Sequence, residues 1–196
     1  MRILCISDEV SPYYWDYYKA GRLDGIDLIL SCGDLKSEYL RFLVTMAHAP
    51  LLYVHGNHDG RYEVDPPEGC DCVDGKLVTV NGLRILGLGG CPYYSGEGFQ
   101  YTERQMRRRV RRLRGKLRRS GGVDILLTHA PARSLGDLED PAHRGFEVFT
   151  RLIDELQPRW HIHGHVHLRY NGRLERVLHR GDTEIVNACG YYILEI

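Results

Sequence analysis

Short apolar runs alternate along the chain with longer amphipathic ones. The segments RILCIS (2–7), DLILSCGD (27–34), PLLYVHGNHD (50–59), VDILLTHAP (123–131) and RWHIHGHVH (159–167) each hold a strand-length apolar run that ends in polar residues. Runs of four to eight apolar residues bounded by polar or turn residues predict buried strands. Between the second and third, SEYLRFLVTMAHA places Leu40, Leu43, Val44 and Ala47 at the spacing of one helical face, with Ser37 as the expected N-cap. KLVTVNGLRILGLGG predicts two strands around Asn81-Gly82, a pair suited to a type I′ hairpin. Residues 104–119 predict a helix with Met106, Val110, Leu113 and Leu117 on one face, and Gly115 inside it at modest cost. GFEVFTRLIDELQ predicts another, which Pro158 ends. Residues 173–196 predict closing strands, with turns at Gly181-Asp182 and near Gly190. Strand, helix and strand in succession favour an α/β sheet. With no repeat, linker or low-complexity segment, residues 1–196 read as a single domain.

Composition sharpens this only in places. A length of 196 residues suits one domain with a proper core, burying roughly 70% of its unfolded surface. The formal net charge is zero, yet ten of the 26 basic residues lie in 104–119, which holds no acid. One basic strip therefore sits on an acidic body. No apolar run reaches the roughly 18–20 residues of a membrane span, and the start lacks a leader pattern, so the chain reads as cytoplasmic. Its six cysteines are then expected as reduced thiols, and Cys70 and Cys72 as plain loop residues.

Candidate chemistry collects at the strand ends: Asp8, Asp34, Asn57-His58-Asp59, His129, and His165 with His167. In α/β sheets ligands bind beyond the carboxyl ends of the strands, so these scattered residues could converge. Carboxylates, imidazoles and one amide oxygen suit Mn, Fe, Zn or similar divalent ions. Two such ions about 3.5–4 Å apart clamp a phosphoryl group and activate water.

Gly33-Asp34, GNHD at 56–59, His129 and GHVH at 164–167, in that order, resemble the calcineurin-like metallophosphoesterases. The resemblance runs from Asp8 to His167 and implies a four-layer αββα sandwich of two mixed sheets. It also implies two divalent metal ions and a small phosphoester substrate, nucleotide-like in the narrower reading, with a phosphodiester favoured over a monoester. Carried over by position, Asp34 bridges both metals. Asn57, His129 and His165 hold the second metal, and Asp8 and His167 the first. The resemblance further implies that His58 acts as general acid or transition-state stabiliser, that Asp59 orients it, and that a metal-bound hydroxide is the nucleophile. The departure is Val10, where the family's D-x-H motif supplies a first-site histidine. D-x-V is also the form in a prokaryotic group of phosphoesterases that this chain resembles. Glu9 is expected to point away from Asp8 on extended backbone, and His143 to be able to reach in from its loop.

Other residues are weighed on their own chemistry. His143 and Arg144 are candidate substrate contacts, Arg144 because its planar fork suits phosphate oxygens. Tyr93 and Tyr94 are placed along the same cleft. His161 and His163 read as strand residues, with His163 able to orient a ligand. His48, His55 and His179 read as structural or exposed. The five rings in SPYYWDYY are expected to cover a sheet edge rather than stack on a base. The basic helix is expected to be solvated or to join copies of the chain in a homo-oligomer, ahead of binding nucleic acid. Two rival functions follow: a non-catalytic interaction module, suggested by Val10, and a nuclease using residues 104–119.

Overall fold

A computed structural model describes residues 1–96, 98–170 and 174–196, so Arg173 of the expected closing segment lies outside the described residues. The elements run β1 (Arg2–Ser7), β2 (Leu28–Ser31), α1 (Ser37–Ala47), β3 (Leu51–Tyr53), β4 (Asp71–Cys72), β5 (Lys76–Val80), β6 (Leu83–Leu88), β7 (Cys91–Pro92) and β8 (Gln100–Tyr101). They continue with α2 (Glu103–Arg119), β9 (Ile125–Thr128), α3 (Glu147–Leu156), β10 (Trp160–His163), β11 (Val177–Arg180), β12 (Thr183–Asn187) and β13 (Gly190–Glu195).

The strands form two large mixed sheets, ordered β13-β1-β2-β3-β4 and β11-β12-β10-β9-β6-β5. In the first, β1 to β4 run parallel and β13 is antiparallel to β1. In the second, β12, β10, β9 and β6 run parallel, flanked by antiparallel β11 and β5. Parallel strands covered on both faces read as near-continuous apolar runs, and β2, β3, β9 and β10 are buried along their whole length, with Ser31, Thr128, His161 and His163 as the buried polar exceptions. Cys91-Pro92 and Gln100-Tyr101 add a small parallel pair.

Three apolar clusters define four layers. Ile3, Leu30 and Leu52 of the first sheet meet Ile85, Leu127 and Ile162 of the second between the sheets. Leu40 and Leu43 of α1 cover the outer face of the first sheet. Met106, Val110 and Leu113 of α2, with Phe149 and Leu152 of α3, cover the second. This is the αββα sandwich that the resemblance implied.

Local details follow from chain chemistry. Asn81 (φ 50°) and Gly82 (φ 82°) both take the left-handed region, as a type I′ turn requires. Thr102 and Gln105 close a capping box at the start of α2. The expected Ser37 cap is corrected: Lys36 is the N-cap of α1 and makes no side-chain cap bond. The Ser37 hydroxyl instead donates to Asp65, which also pairs with Arg41 at 2.7 Å. Tyr14, from SPYYWDYY, enters the α1-side cluster, and Trp15 packs edge-on to Tyr39 and Phe42. Among the described residues, no helix is long and apolar enough to cross a membrane.

Candidate metal centre

Parallel strands deliver their carboxyl ends to one edge of a sheet. The first sheet brings Asp8, Asp34 and Asn57 there from β1, β2 and β3. The second brings His129, His165 and His167 from β9 and β10. Three of these residues leave their strands in the left-handed region: Asp8 (φ 61°), Asp34 (φ 58°) and His165 (φ 67°). Such backbone costs on the order of 1–3 kcal/mol per residue and persists only where neighbours enforce it. The neighbours are bonded: Asp8 N–H donates to the Gly33 carbonyl (3.1 Å), Asp34 N–H to Asp59 Oδ2 (2.9 Å) and His165 N–H to Asp8 Oδ2 (2.9 Å). Gly33 and Gly56 let the loops after β2 and β3 touch. A Cβ on Gly33 would collide with the Gly56 backbone, and one on Gly56 with the Asp34 carboxylate.

One group of donors lies across the two sheets. A carboxylate oxygen of Asp34 and ring nitrogens of His129 and His165 fall within 4.8 Å of one another. His129 Nδ1 lies 2.8 Å from the Cys32 carbonyl, so that nitrogen carries the proton and Nε2 turns inward. Nε2 sits 3.0 Å from Asn57 Oδ1 and 3.4 Å from Asp34 Oδ2. Asn57 Nδ2 donates to the Tyr94 hydroxyl at 3.2 Å, which fixes the amide so that its oxygen faces His129. His165 Nε2 faces the Ala142 carbonyl at 2.7 Å, leaving Nδ1 as the free donor. Burial opposes charge on Asp34, but the charge of His129 beside it holds the carboxyl down to about 2, and Asp34 in turn pushes His129 up to about 9 against its own burial. Burial and His129 push His165 down, which keeps it in the neutral form that binds metals. Carboxylate, amide oxygen and two imidazoles fit a divalent cation.

A second group joins Glu9, His167 and Cys189, whose donor atoms also lie within 4.8 Å of one another. Glu9 Oε1 is 2.7 Å from His167 Nδ1, and Arg169 stands 3.4 Å from the same oxygen. The expectation that Glu9 points away is therefore corrected. Side chains alternate only on extended backbone, and the left-handed turn at Asp8 interrupts it. Val10 packs instead against the apolar cluster on the α1 side. Burial, then the charges of Asp8 and Glu9, push the Cys189 thiol up to about 12.

The remaining candidates divide. His58 is exposed, its N–H donates to Asp34 Oδ1 at 2.8 Å, and its side chain stands between two clefts. Lys36, Glu38 and Asp65 line one, Tyr94, Ser95 and Gln100 the other, and Arg61 lines both. Asp59 is 3% exposed, and its Oδ2 accepts from Gly56 N–H (2.7 Å) and Asp34 N–H (2.9 Å), so it holds the loops after β2 and β3 together. Burial, then the Asp34 charge, raise its carboxyl to about 6. The His143 ring lies 5.3 Å from that of His165, at the edge of the centre, and its Nδ1 is 2.9 Å from Asp140. Arg144 is not brought there; its guanidinium donates to the Glu139 carbonyl at 3.0 Å. His161 and His163 are buried in β10, bonded to Thr128 and to the Gly164 carbonyl.

Sequence reasoning passed over Cys189 and dismissed Glu9. Cys189 follows β12, a strand parallel to β10. The rule that singled out His165 would have found it, had a cysteine after an apolar strand been read as a donor.

A family profile described as calcineurin-like phosphoesterase matches residues 1–169. The chain is 24% identical to the UPF0046 protein K07C11.7 of Caenorhabditis elegans over 222 residues, covering 96% of this chain and 69% of that protein. It is 26% identical to metallophosphoesterase domain-containing protein 1 of Homo sapiens over 230 residues, covering 95% and 65% respectively. The fold is similar to that of TT1561 of Thermus thermophilus, with a TM-score of 0.60 at 18% identity over 96% of this chain and 88% of that one. Another solved structure aligns at a TM-score of 0.71 and 16% identity, over 98% and 94%.

Proposed function

This chain belongs to the calcineurin-like phosphoesterases, and we propose that it hydrolyses a phosphodiester. In this reading Asp34, Asn57, His129 and His165 hold one divalent cation, while Asp8, Asp34 and His167 hold another. The observation that carries it is the convergence of Asp34, His129 and His165 donor atoms within 4.8 Å, from loops of two different sheets. When bound, the cations supply charge neutralisation and acidify a water that attacks phosphorus.

The chain's own residues do the rest. His58 is tied through its N–H to Asp34, so its ring stands at a fixed place beside the ligand carboxylate. It donates a proton to the ester oxygen as the P–O bond breaks, and the products are a phosphomonoester and an alcohol. A diester is favoured because His58 has a cleft on either side, room for two substituents. Arg61, which lines both clefts, offers a guanidinium to an anionic substrate.

The test uses protein loaded with manganese and, separately, with cobalt, and follows bis(p-nitrophenyl) phosphate and p-nitrophenyl phosphate. The diester should turn over faster. Asp34→Asn should lose both metal and turnover. His58→Ala should keep its metal and lose about 10²-fold or more in rate, the loss growing as the leaving alcohol becomes less acidic. Full turnover in His58→Ala would end its assignment as acid. Bound metal with no turnover of either ester would move the chain to a non-catalytic binding module.

A further inference from the structure

The second donor group departs from the family pattern. Glu9 follows β1, His167 follows β10 and Cys189 follows β12, so three separate loops converge within 4.8 Å. The Cys189 loop is tied in place. Cys189 N–H donates to Asn187 Oδ1 at 2.9 Å, and Asn187 Nδ2 donates to the Val166 carbonyl at 2.7 Å. The amide of Asn187 thus links the cysteine to the loop that carries His165 and His167. Ser7 pairs with Cys189 through the backbone, which links it to the β1 loop as well.

Cys189 also differs from the other buried cysteines. Cys5 and Cys32 pack in the apolar core between the sheets, and Cys91 packs in the cluster under α2 and α3. Cys189 is 5% exposed yet lies in none of the three apolar clusters. Its sulfur faces the Glu9 carboxylate and the His167 imidazole, with Arg176 donating to its carbonyl at 3.2 Å and Arg169 at the outer side of Glu9, which is polar rather than core company. An open depression lined by Glu9, Val10, Arg176, Cys189 and Tyr191 leads to it from solvent.

We propose that Glu9 and Cys189 complete the first cation position with His167 and Asp8, in place of the histidine that the family pattern puts at residue 10. This rests on the reading that the centre binds divalent cations. On binding, the Cys189 thiol gives its proton to water and the thiolate sulfur becomes a ligand; no electron changes hands. A thiolate turns an oxygen-and-nitrogen position into a softer one, which selects zinc, cobalt or ferrous iron over manganese or magnesium. The two positions therefore differ in kind: one of carboxylate, amide and imidazole, the other with sulfur.

The experiment is an anaerobic titration of the metal-stripped chain with cobalt(II). It reads sulfur-to-cobalt charge-transfer absorption in the near ultraviolet, together with cobalt per chain by mass spectrometry. The wild type should develop the band, and zinc should erase it by displacement. Cys189→Ser should lack the band and hold about one cobalt fewer per chain. Cys72→Ser should keep it, since Cys72 lies beside His55. Glu9→Gln should keep the band but need at least tenfold more cobalt to reach it. Wild-type protein that binds two cobalt ions without the band would overturn this inference and leave the phosphoesterase reading standing. A band that survives in Cys189→Ser would overturn it too. Failure of the wild type to bind cobalt at all would overturn both.

Discussion

Asp59 offers a test that separates holding a loop from orienting a catalytic ring. Its Oδ2 alone accepts both the Gly56 and Asp34 N–H groups, at 2.7 and 2.9 Å, in a site 3% exposed. Asp59→Ala leaves two donors unpaired, at about 1–3 kcal/mol each. Part of that is returned, because burial and the Asp34 charge oppose ionisation of the native carboxyl. A net loss of about 3 kcal/mol follows, which for a chain of this size lowers Tm by roughly 6–12 °C. Asp59→Asn keeps one amide oxygen where Oδ2 stood, so both bonds survive and the buried charge is gone. It should match the wild type within about 1 kcal/mol. The assay is calorimetric melting of chelator-treated protein at neutral pH. If Asp59→Asn falls as far as Asp59→Ala, the charge itself holds the loops and the hydrogen-bond account is wrong. Turnover adds a second reading. An Asp59→Asn protein that is stable and metal-loaded, yet loses rate as His58→Ala does, would return Asp59 to the role of orienting His58.

Further perturbations probe other parts of the frame. In Gly164→Ala, the new methyl group would collide with Ser7 Oγ. We expect a loss of about 1–3 kcal/mol and about one cobalt fewer per chain, since Asp8 must move; unchanged metal content would show that Asp8 is no ligand. Val10→His should leave cobalt affinity unchanged and cost about 1 kcal/mol, because residue 10 packs against the α1-side cluster. A tenfold gain in affinity would show that residue 10 faces the cations after all. Asp124 accepts from Arg84 N, Nε and Nη2, each at 2.8 Å, and this pairing holds its carboxyl below the usual range. A lowered carboxyl pKa stabilises the fold above the unfolded value and stops doing so as pH falls through the folded one. Asp124→Asn should therefore lose about 1 kcal/mol at pH 7, and the gap should close below about pH 4. A gap independent of pH, seen in urea melts, would sink this argument.

Much of the frame was legible because each strand carries its own ending. The apolar runs before Asp8, Asp34, Asn57, His129 and His165 gave the strands, and Asn81-Gly82 gave the hairpin. The pairing of those strands into two sheets was not legible from pattern, because a strand buried on both faces does not reveal its neighbours. The resemblance supplied that layer. Cys91-Pro92 and Gln100-Tyr101 are too short to carry any period, and Ser37 was misread because its partner, Asp65, lies in a distant loop. The basic helix was legible on its apolar face but not on its polar one. Arg109, an ordinary surface arginine by pattern, turns inward to Asp74, donates to the Gly89 carbonyl at 2.7 Å and lies over the Tyr101 ring. Part of the charge density of residues 104–119 thus anchors the β5–β8 region rather than facing a partner.

The misreading of Glu9 has the most chemical consequence. An extended strand must send neighbouring side chains to opposite faces, so Asp8 and Glu9 could not both serve one centre. A left-handed residue between strand and loop breaks that alternation, and aspartate tolerates the left-handed region better than most residues. Asp8 therefore has a conformational role besides its carboxylate: it turns the chain so that Glu9 reaches His167. Strain at Asp8, Asp34 and His165 falls on candidate ligands and is held by hydrogen bonds among the ligand loops themselves. On the proposal that Glu9 and Cys189 hold a cation with His167, the absence of a histidine at residue 10 is no sign of a decayed centre. The left-handed turn at Asp8 sets residue 10 against the α1-side cluster and brings the Glu9 carboxylate beside His167, while Cys189, two residues beyond β12, comes within reach from the other sheet.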